Sequence, residues 1–139
     1  MDFLSGSYFE VELYGNDVEL AGRFISVSGL AMEVEYEVYS EGGSNYPRYF
    51  FKESKPQVLV LEQGVITEGD GLSELMARCV QGQSVALSGR ITLRDTFGTA
   101  RRSWAITGAH LQKYLGPELN SNQPALAVSR LELLYNGCF

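Results

Sequence analysis

Apolar and polar residues alternate at successive positions in several segments of this 139-residue chain. Successive side chains of a β-strand point to opposite faces, so this alternation predicts half-buried strands. In the segment YFEVELY, for example, Phe9, Val11 and Leu13 share one face. The predicted strands cover 8–14, 20–30, 32–39, 57–62, 85–94, 100–110 and 125–135. We therefore expect a single, mainly β domain over residues 1–139.

Two segments have apolar patterns of a different kind. The run QVLVLE at 57–62 is almost continuously apolar, which predicts a strand buried on both faces. The segment LSELMARCV has apolar residues at helical spacing, at positions 72, 75, 76, 79 and 80. It predicts one flanking amphipathic α-helix, capped by Asp70 and ended by Gly82.

The segment AMEVEYEVY carries a row of like charges. Glu33, Glu35 and Glu37 share one strand face, and the opposite face is apolar, with Met32, Val34, Tyr36 and Val38. Like charges at this spacing repel, so the acidic face belongs in water rather than in a core. The strand at 20–30 is predicted to pair with this strand as a long hairpin through Gly29.

Residues 40–56 (SEGGSNYPRYFFKESKP) lose all periodicity and are predicted to form a long loop. Long loops in compact domains are usually functional, and this one carries four aromatic residues that would be costly to leave in water. The loop is therefore expected to dock on another surface.

The net charge of −6 argues against specific nucleic-acid binding, which requires clustered cations. The charge is uneven, with −8 in residues 1–41 and +2 in the remainder, which suits a protein whose sides meet different partners. The chain has no apolar run that could anchor it in a membrane and no signal-peptide pattern, so it is expected to fold in the cytoplasm.

Few residues could carry catalysis. His110 is the only histidine, and Cys79 and Cys138 are too far apart in sequence for a metal-binding pair. The segment DTFG at 95–98 is typical of a hairpin turn rather than of an aspartic protease. We expect no enzymatic activity, no metal and no cofactor.

Four arginines lie on either side of that predicted turn, namely Arg90, Arg94, Arg101 and Arg102. They indicate either a solvated strand face or a basic contact patch for an acidic neighbour.

The order of these segments resembles the tail tube proteins of contractile phage tails and contractile injection systems, of the T4-like type. The resemblance rests on 24–30 (FISVSGL), 33–36 (EVEY), 41–43 (EGG), 56–65 (PQVLVLEQGV), 91–95 (ITLRD) with Gly98 and Trp104, 113–120 (KYLGPELN) and 131–133 (LEL). It covers nearly the whole chain. The family often has a basic residue where Gln63 stands and an aromatic residue in the helix near Leu75 or Met76, so a main tube subunit and a tube-initiator paralogue both stay open.

The resemblance implies two packed antiparallel sheets that form a β-barrel-like or sandwich domain with one flanking α-helix. It also implies six copies in a ring, rings stacked into a hollow tube, and a surrounding sheath. It implies baseplate or hub initiator proteins as further partners, and DNA, a tape-measure protein or effector cargo in the lumen. Glu33, Glu35 and Glu37 are then expected to line the lumen. Contacts to the adjacent subunit or ring are expected from Glu41, Tyr46, Arg48, Tyr49, Phe50, Phe51, Lys52 and Lys55. A monomeric β-barrel that binds a small ligand is the alternative from another class.

Overall fold

A computed structural model describes residues 6–40, 42–43, 46–66, 71–116 and 127–139. The elements are β1 (Tyr8–Gly15), β2 (Val18–Ser28), β3 (Glu33–Tyr39), β4 (Arg48–Lys55), β5 (Gln57–Ile66), α1 (Gly71–Val80), β6 (Leu87–Arg94), β7 (Ala100–Leu115) and β8 (Ala127–Tyr135). Six strands close into an antiparallel barrel in the order β1-β2-β5-β8-β7-β6, and β3 and β4 form a separate two-stranded sheet. The prediction of a mainly β, barrel-like fold with a flanking helix is confirmed.

The barrel interior is filled by the inward residues of all six strands. They include Val11, Leu13, Leu20, Phe24, Leu59, Leu61, Leu87, Ile91, Ile106, Leu131 and Leu133, all at most 1% exposed. The alternation predicted for β1 is confirmed, because Val11 and Leu13 are buried while Glu12 and Tyr14 are exposed. Closure of the sheet pairs the strand edges that an open sheet would leave free.

The prediction that 57–62 is buried on both faces is wrong. In β5, Leu59 and Leu61 point into the barrel, whereas Val58 is 38% exposed and Val60 is half-buried. The wall of an antiparallel barrel is one sheet thick, so its outer face meets water even where the sequence is apolar.

The flanking helix α1 packs against the barrel next to β2. Leu72 and Leu75 are buried, as the helical spacing predicts, but Val80 is exposed because it is the last helical residue. Gly82 has a φ of 83° and Gln83 N donates to Arg78 O at 2.9 Å, so the helix ends in the glycine cap that was predicted. The predicted cap Asp70 lies outside the described residues. Within the described ranges, no helix is long and apolar enough to cross a membrane.

The predicted hairpin between the strand at 20–30 and the acidic strand is wrong, as is the predicted loop at 40–56. β2 pairs with β1 and β5, and β3 pairs instead with β4, which occupies half of the supposed loop. The irregular pattern has a cause, because Glu35 lies opposite Glu53 whereas Tyr36 lies opposite Phe51. Lys52 is therefore an extra residue, a β-bulge that shifts the alternation of β4 by one position.

Candidate assembly surface

The two-stranded sheet of β3 and β4, called the ribbon below, extends the β2–β5 ladder beyond the barrel. The last β2–β5 pair is Ser28 with Val60, and the first ribbon pair is Glu33 with Lys55. Between them the ladder is broken by residues 29–32 on one strand and by a gap around Pro56 on the other. Among the described residues, β3 and β4 pair with no other strand, so both of the ribbon's edges are open.

One face of the ribbon is charged. The register places Glu33, Glu35, Glu37 and Tyr39 beside Arg48, Phe50, Glu53 and Lys55. Lys52 Nζ also approaches Glu35 Oε1 at 3.9 Å. The row of glutamates predicted from the sequence is therefore present, and β4 brings cations to the same face.

The other face of the ribbon is apolar. It combines Val34, Tyr36 and Val38 of β3 with Tyr49, Phe51 and Ser54 of β4. The rings of Tyr36 and Phe51 meet edge to face with centroids 6.2 Å apart. Tyr36 is nevertheless 52% exposed and Phe51 64% exposed, so this face is uncovered in the single chain. Contiguous exposed apolar surfaces of this kind are typical of protein interaction sites.

The structure thus divides the predicted contact residues between the two faces. Tyr49 and Phe51 lie on the apolar face, while Arg48, Phe50 and Lys55 share the charged face. Tyr46 precedes β4 and is exposed. Glu41 lies outside the described residues. Sequence reasoning did not assign Tyr36 and Val38 to the contact surface, although the alternation in β3 already placed them together on one apolar face.

The four arginines of the predicted basic patch are not all on one face. Arg90 and Arg94 lie on the outer wall of β6, and Arg101 lies beside them near the turn. Arg102 is exposed but lies opposite Leu93, and its guanidinium lies 5.0 Å from the centre of the Trp104 ring.

Partners within the chain engage these cations. Arg94 Nε lies 3.3 Å from Glu10 Oε2, and Arg90 Nη1 donates to Ser103 Oγ at 2.9 Å. Although burial alone would raise it, hydrogen bonds with Glu12 and Arg94 hold the pKa of Glu10 below its usual value. The hydrogen bond with Glu10 in turn raises the pKa of Glu12. The outer wall of β1 and β6 is therefore a mixed surface rather than a purely basic one.

Asp95 organises the predicted turn at 95–98, which is confirmed. Its Oδ1 accepts hydrogen bonds from Phe97 N and Thr99 N, both at 2.9 Å, and its Oδ2 lies 3.0 Å from Arg101. The hydrogen bond from the Thr99 amide lowers the pKa of Asp95, with help from Phe97 and Arg101.

Replacing Asp95 with asparagine is expected to lower the melting temperature slightly at neutral pH, because the charge is lost while the side-chain oxygen stays. A carboxyl whose pKa is lower in the folded state stabilises the fold above its ordinary pKa of about 3.8. That stabilisation disappears as the pH falls through the lower folded value. In thermal melts of both proteins, the difference in melting temperature should therefore narrow as the pH falls from 7 to 3; a gap of constant size would contradict this account.

The described residues give little support for an enzyme or for a barrel that binds a small ligand. Across the described ranges, no group of three or more His, Cys, Asp or Glu side chains could hold a metal ion. The barrel interior is occupied by side chains. A depression of about 420 Å³ lies instead on the outer wall of β1 and β2 and is lined mainly by charged residues, among them Glu10, Glu19 and Arg23.

Comparisons with solved structures match the fold. One similar chain comes from the PVC sheath-tube complex, in the extended state, of an extracellular contractile injection system. It aligns with a TM-score of 0.61 at 20% identity, and the alignment covers 94% of this chain and 86% of that one. A chain of the PVC sheath/tube terminator in the extended state aligns with a TM-score of 0.59 at 20% identity, and the alignment covers 100% of this chain and 94% of that one. A chain of the anti-feeding prophage baseplate gives 0.58 at 18% identity, covering 94% and 90%.

Sequence comparison gives the family. A search among curated proteins finds no match. The model of the T4-like virus tail tube protein gp19 family, however, matches residues 5–138, which is nearly the full length of the sequence. The chain therefore belongs to the T4-like virus tail tube protein gp19 family.

Proposed function

We propose that this protein is the structural subunit of the inner tube of a contractile tail or injection system, and that six copies form a ring and rings stack around a hollow lumen. The observation that carries the proposal is the ribbon, which projects from a closed barrel with an uncovered apolar face and with two edges that no other described strand pairs. Membership of the tail tube family supports a structural role rather than an enzymatic one.

The physical reason to invoke further copies is that a two-stranded sheet is at best marginally stable in water by itself. It needs more strands or a covering surface. Every copy carries the same ribbon, so a head-to-tail contact in which one ribbon meets the next copy repeats around a closed ring. Such a ring covers apolar faces and strand edges without any second protein.

The orientation of the ribbon follows from its two faces. The apolar face, with Tyr36, Tyr49 and Phe51, packs against the adjacent subunit or ring, where aromatic side chains contribute most to an interface. The charged face, with Glu33, Glu35 and Glu37, lines the water-filled lumen. Phe50 and Lys55 then belong to the lumen side rather than to the contact.

The lumen wall that results is close to neutral. Four carboxylates on this face, Glu33, Glu35, Glu37 and Glu53, are accompanied by Arg48, Lys52 and Lys55. Such a wall offers no excess of cations to hold phosphates, so DNA or acidic cargo passes without sticking. It repels polyanions less strongly than the glutamate row alone implies.

Replacing Glu33, Glu35 and Glu37 together with glutamine is expected to leave tube assembly intact. Exposed ion pairs contribute only about 0–1 kcal/mol each, and these side chains face water in the proposed tube. Cryo-EM of the variant shows whether tubes form and whether these three side chains face the lumen. Loss of assembly, or density that places these side chains on the outer wall, would remove the lumen assignment.

The outer wall of the barrel would meet the remaining partners. Solved relatives come from a sheath-tube complex, a baseplate and a tube-terminating cap. By analogy, the surface around Arg90, Arg94 and Arg101 contacts an acidic neighbour such as a sheath subunit, and the tube starts on a baseplate initiator. Assembly in the bacterial cytoplasm and a tape-measure or effector cargo belong to the same proposal.

Size-exclusion chromatography followed by negative-stain imaging of the purified chain tests the proposal. Rings or filaments support a tube subunit. A discrete monomer at high concentration, absent also from tubes in its native particle, would overturn it and favour the ligand-binding barrel. A position only at the baseplate end of native tubes, with a different chain along their length, would assign the initiator role instead.

A further inference from the structure

The direction in which the ribbon leaves the barrel depends on two short connections. Residues 29–32 join β2 to β3, and Pro56 joins β4 to β5. Because the described part of the ribbon pairs with no barrel strand, its angle is set where these connections meet the barrel. We call this region the ribbon root.

Tyr135, the last residue of β8, reaches the first connection from inside the barrel mouth. Its side chain is 1% exposed, and its hydroxyl donates a hydrogen bond to Gly29 O and accepts one from Ala31 N at 2.9 Å. Burial raises the pKa of this phenol, so the hydroxyl keeps its proton near neutral pH. One buried hydroxyl therefore satisfies two backbone groups of a segment more than 100 residues away in sequence.

Gln57, the first residue of β5, directly follows the second connection. It lies directly opposite Tyr135 in the β5–β8 register. Its Nε2 donates to Lys55 O at 3.4 Å and approaches Glu33 Oε2 at 3.5 Å. The final pair of the β5–β8 ladder thus contacts the first connection through Tyr135 and the adjoining ends of β3 and β4 through Gln57.

The root is also tightly packed. Gly29 has a φ of 82°, and a Cβ at this position would lie 1.9 Å from Val58 O, so only glycine fits. The thiol of Cys138 lies 3.7 Å from Ala31 O. Phe139 exchanges two backbone hydrogen bonds with Ala105, at 2.8 and 3.2 Å, which holds the C-terminal residues against β7.

We propose that Tyr135 is a positioning residue for assembly, which with Gln57 clamps the ribbon root and fixes the ribbon at the angle that the next copy receives. This inference rests on the proposed tube function. Fixing a projecting element before association removes the entropy cost of ordering it during association, so a clamped ribbon assembles at lower protein concentration than a swinging one.

The test is Tyr135→Phe in the full-length chain, which keeps the buried ring and removes only the hydroxyl. Because both hydrogen bonds to the first connection are lost, amide exchange at Ala31 should accelerate by about tenfold or more. The critical concentration for tube formation should rise by a similar factor, about tenfold. Tyr114→Phe is the matched control, since it removes a phenol hydroxyl from β7 without touching the root.

Exchange at the buried Val11 amide separates a clamp from general stability. Faster exchange at Ala31 with unchanged exchange at Val11, together with a raised critical concentration, supports the positioning role. Equal acceleration at both amides, no acceleration at Ala31, or an unchanged critical concentration would overturn it. If the wild-type chain forms no rings or tubes, the tube function fails instead, and the Ala31 exchange still shows whether the clamp exists.

Discussion

Replacing Tyr36 and Phe51 together with serine is expected to abolish tube assembly while the barrel stays folded. These rings form the edge-to-face pair on the uncovered face of the ribbon, and neither contributes to the barrel core. Aromatic anchors at the centre of an interface typically cost about 2 kcal/mol or more each when truncated, roughly thirtyfold in affinity. The loss recurs at every contact around a ring, so the fraction of protein that sediments as tubes should fall to background.

The charged face of the ribbon supplies a matched control. Tyr39 and Phe50 form a second edge-to-face pair there, with centroids 5.8 Å apart and similar exposure. Serine at both of these positions removes the same kinds of side chain from the lumen side and should leave tubes in negative-stain images. Equal loss of assembly in the two double variants would refute the assignment of the apolar face to the subunit contact.

Phe24→Ala is expected to have the largest effect on the stability of the single subunit. Phe24 is fully buried in the barrel, and its ring packs on Gly64, where a Cβ would lie 2.2 Å from Phe24 Cδ1. Truncation of a buried phenylalanine costs about 3–5 kcal/mol, whereas domains of this size are stable by only about 5–15 kcal/mol. Urea unfolding followed by circular dichroism should show a large fall in the midpoint.

The neighbouring residue Ile25 provides the control, because its side chain is 41% exposed on the outer wall of β2. Ile25→Ala should change the unfolding free energy far less, within about 1 kcal/mol. Comparable destabilisation by the two variants would mean that the barrel interior is not the main source of stability.

Local patterns predicted most of the barrel because period-two alternation and glycine-bearing turns are short-range signals. The strand β1, the turn at Asp95 and the end of α1 at Gly82 all follow from neighbouring residues. The strand β4 escaped prediction because the extra residue Lys52 interrupts its alternation, and both of its faces lie outside the core. Burial pattern is the main signal for a strand, and β4 has none.

The ribbon surface was predicted only in part, because short-range signals identify residue types but not strand register. The glutamate row and the aromatic segment at 46–51 could be identified from residue types alone. That they belong to one ribbon, with Phe51 on the apolar face and Phe50 beside the glutamates, required the register between β3 and β4. The role inferred for Tyr135 had no local signal, since its partners Gly29 and Ala31 lie at the other end of the chain.

The fold class, the helix, the turns and the family could all be recognised from residue order alone, because each depends on residue order or on contacts between near neighbours. Tertiary structure decided which strands pair, that β2 runs on toward the ribbon instead of folding back, and that Lys52 and Lys55 accompany the glutamates. Strand pairing joins residues far apart in the chain, and a one-residue shift in register moves every following side chain to the opposite face. Neighbouring residues in the sequence do not specify strand pairing or register. The charged face and the apolar face of the ribbon depend on both.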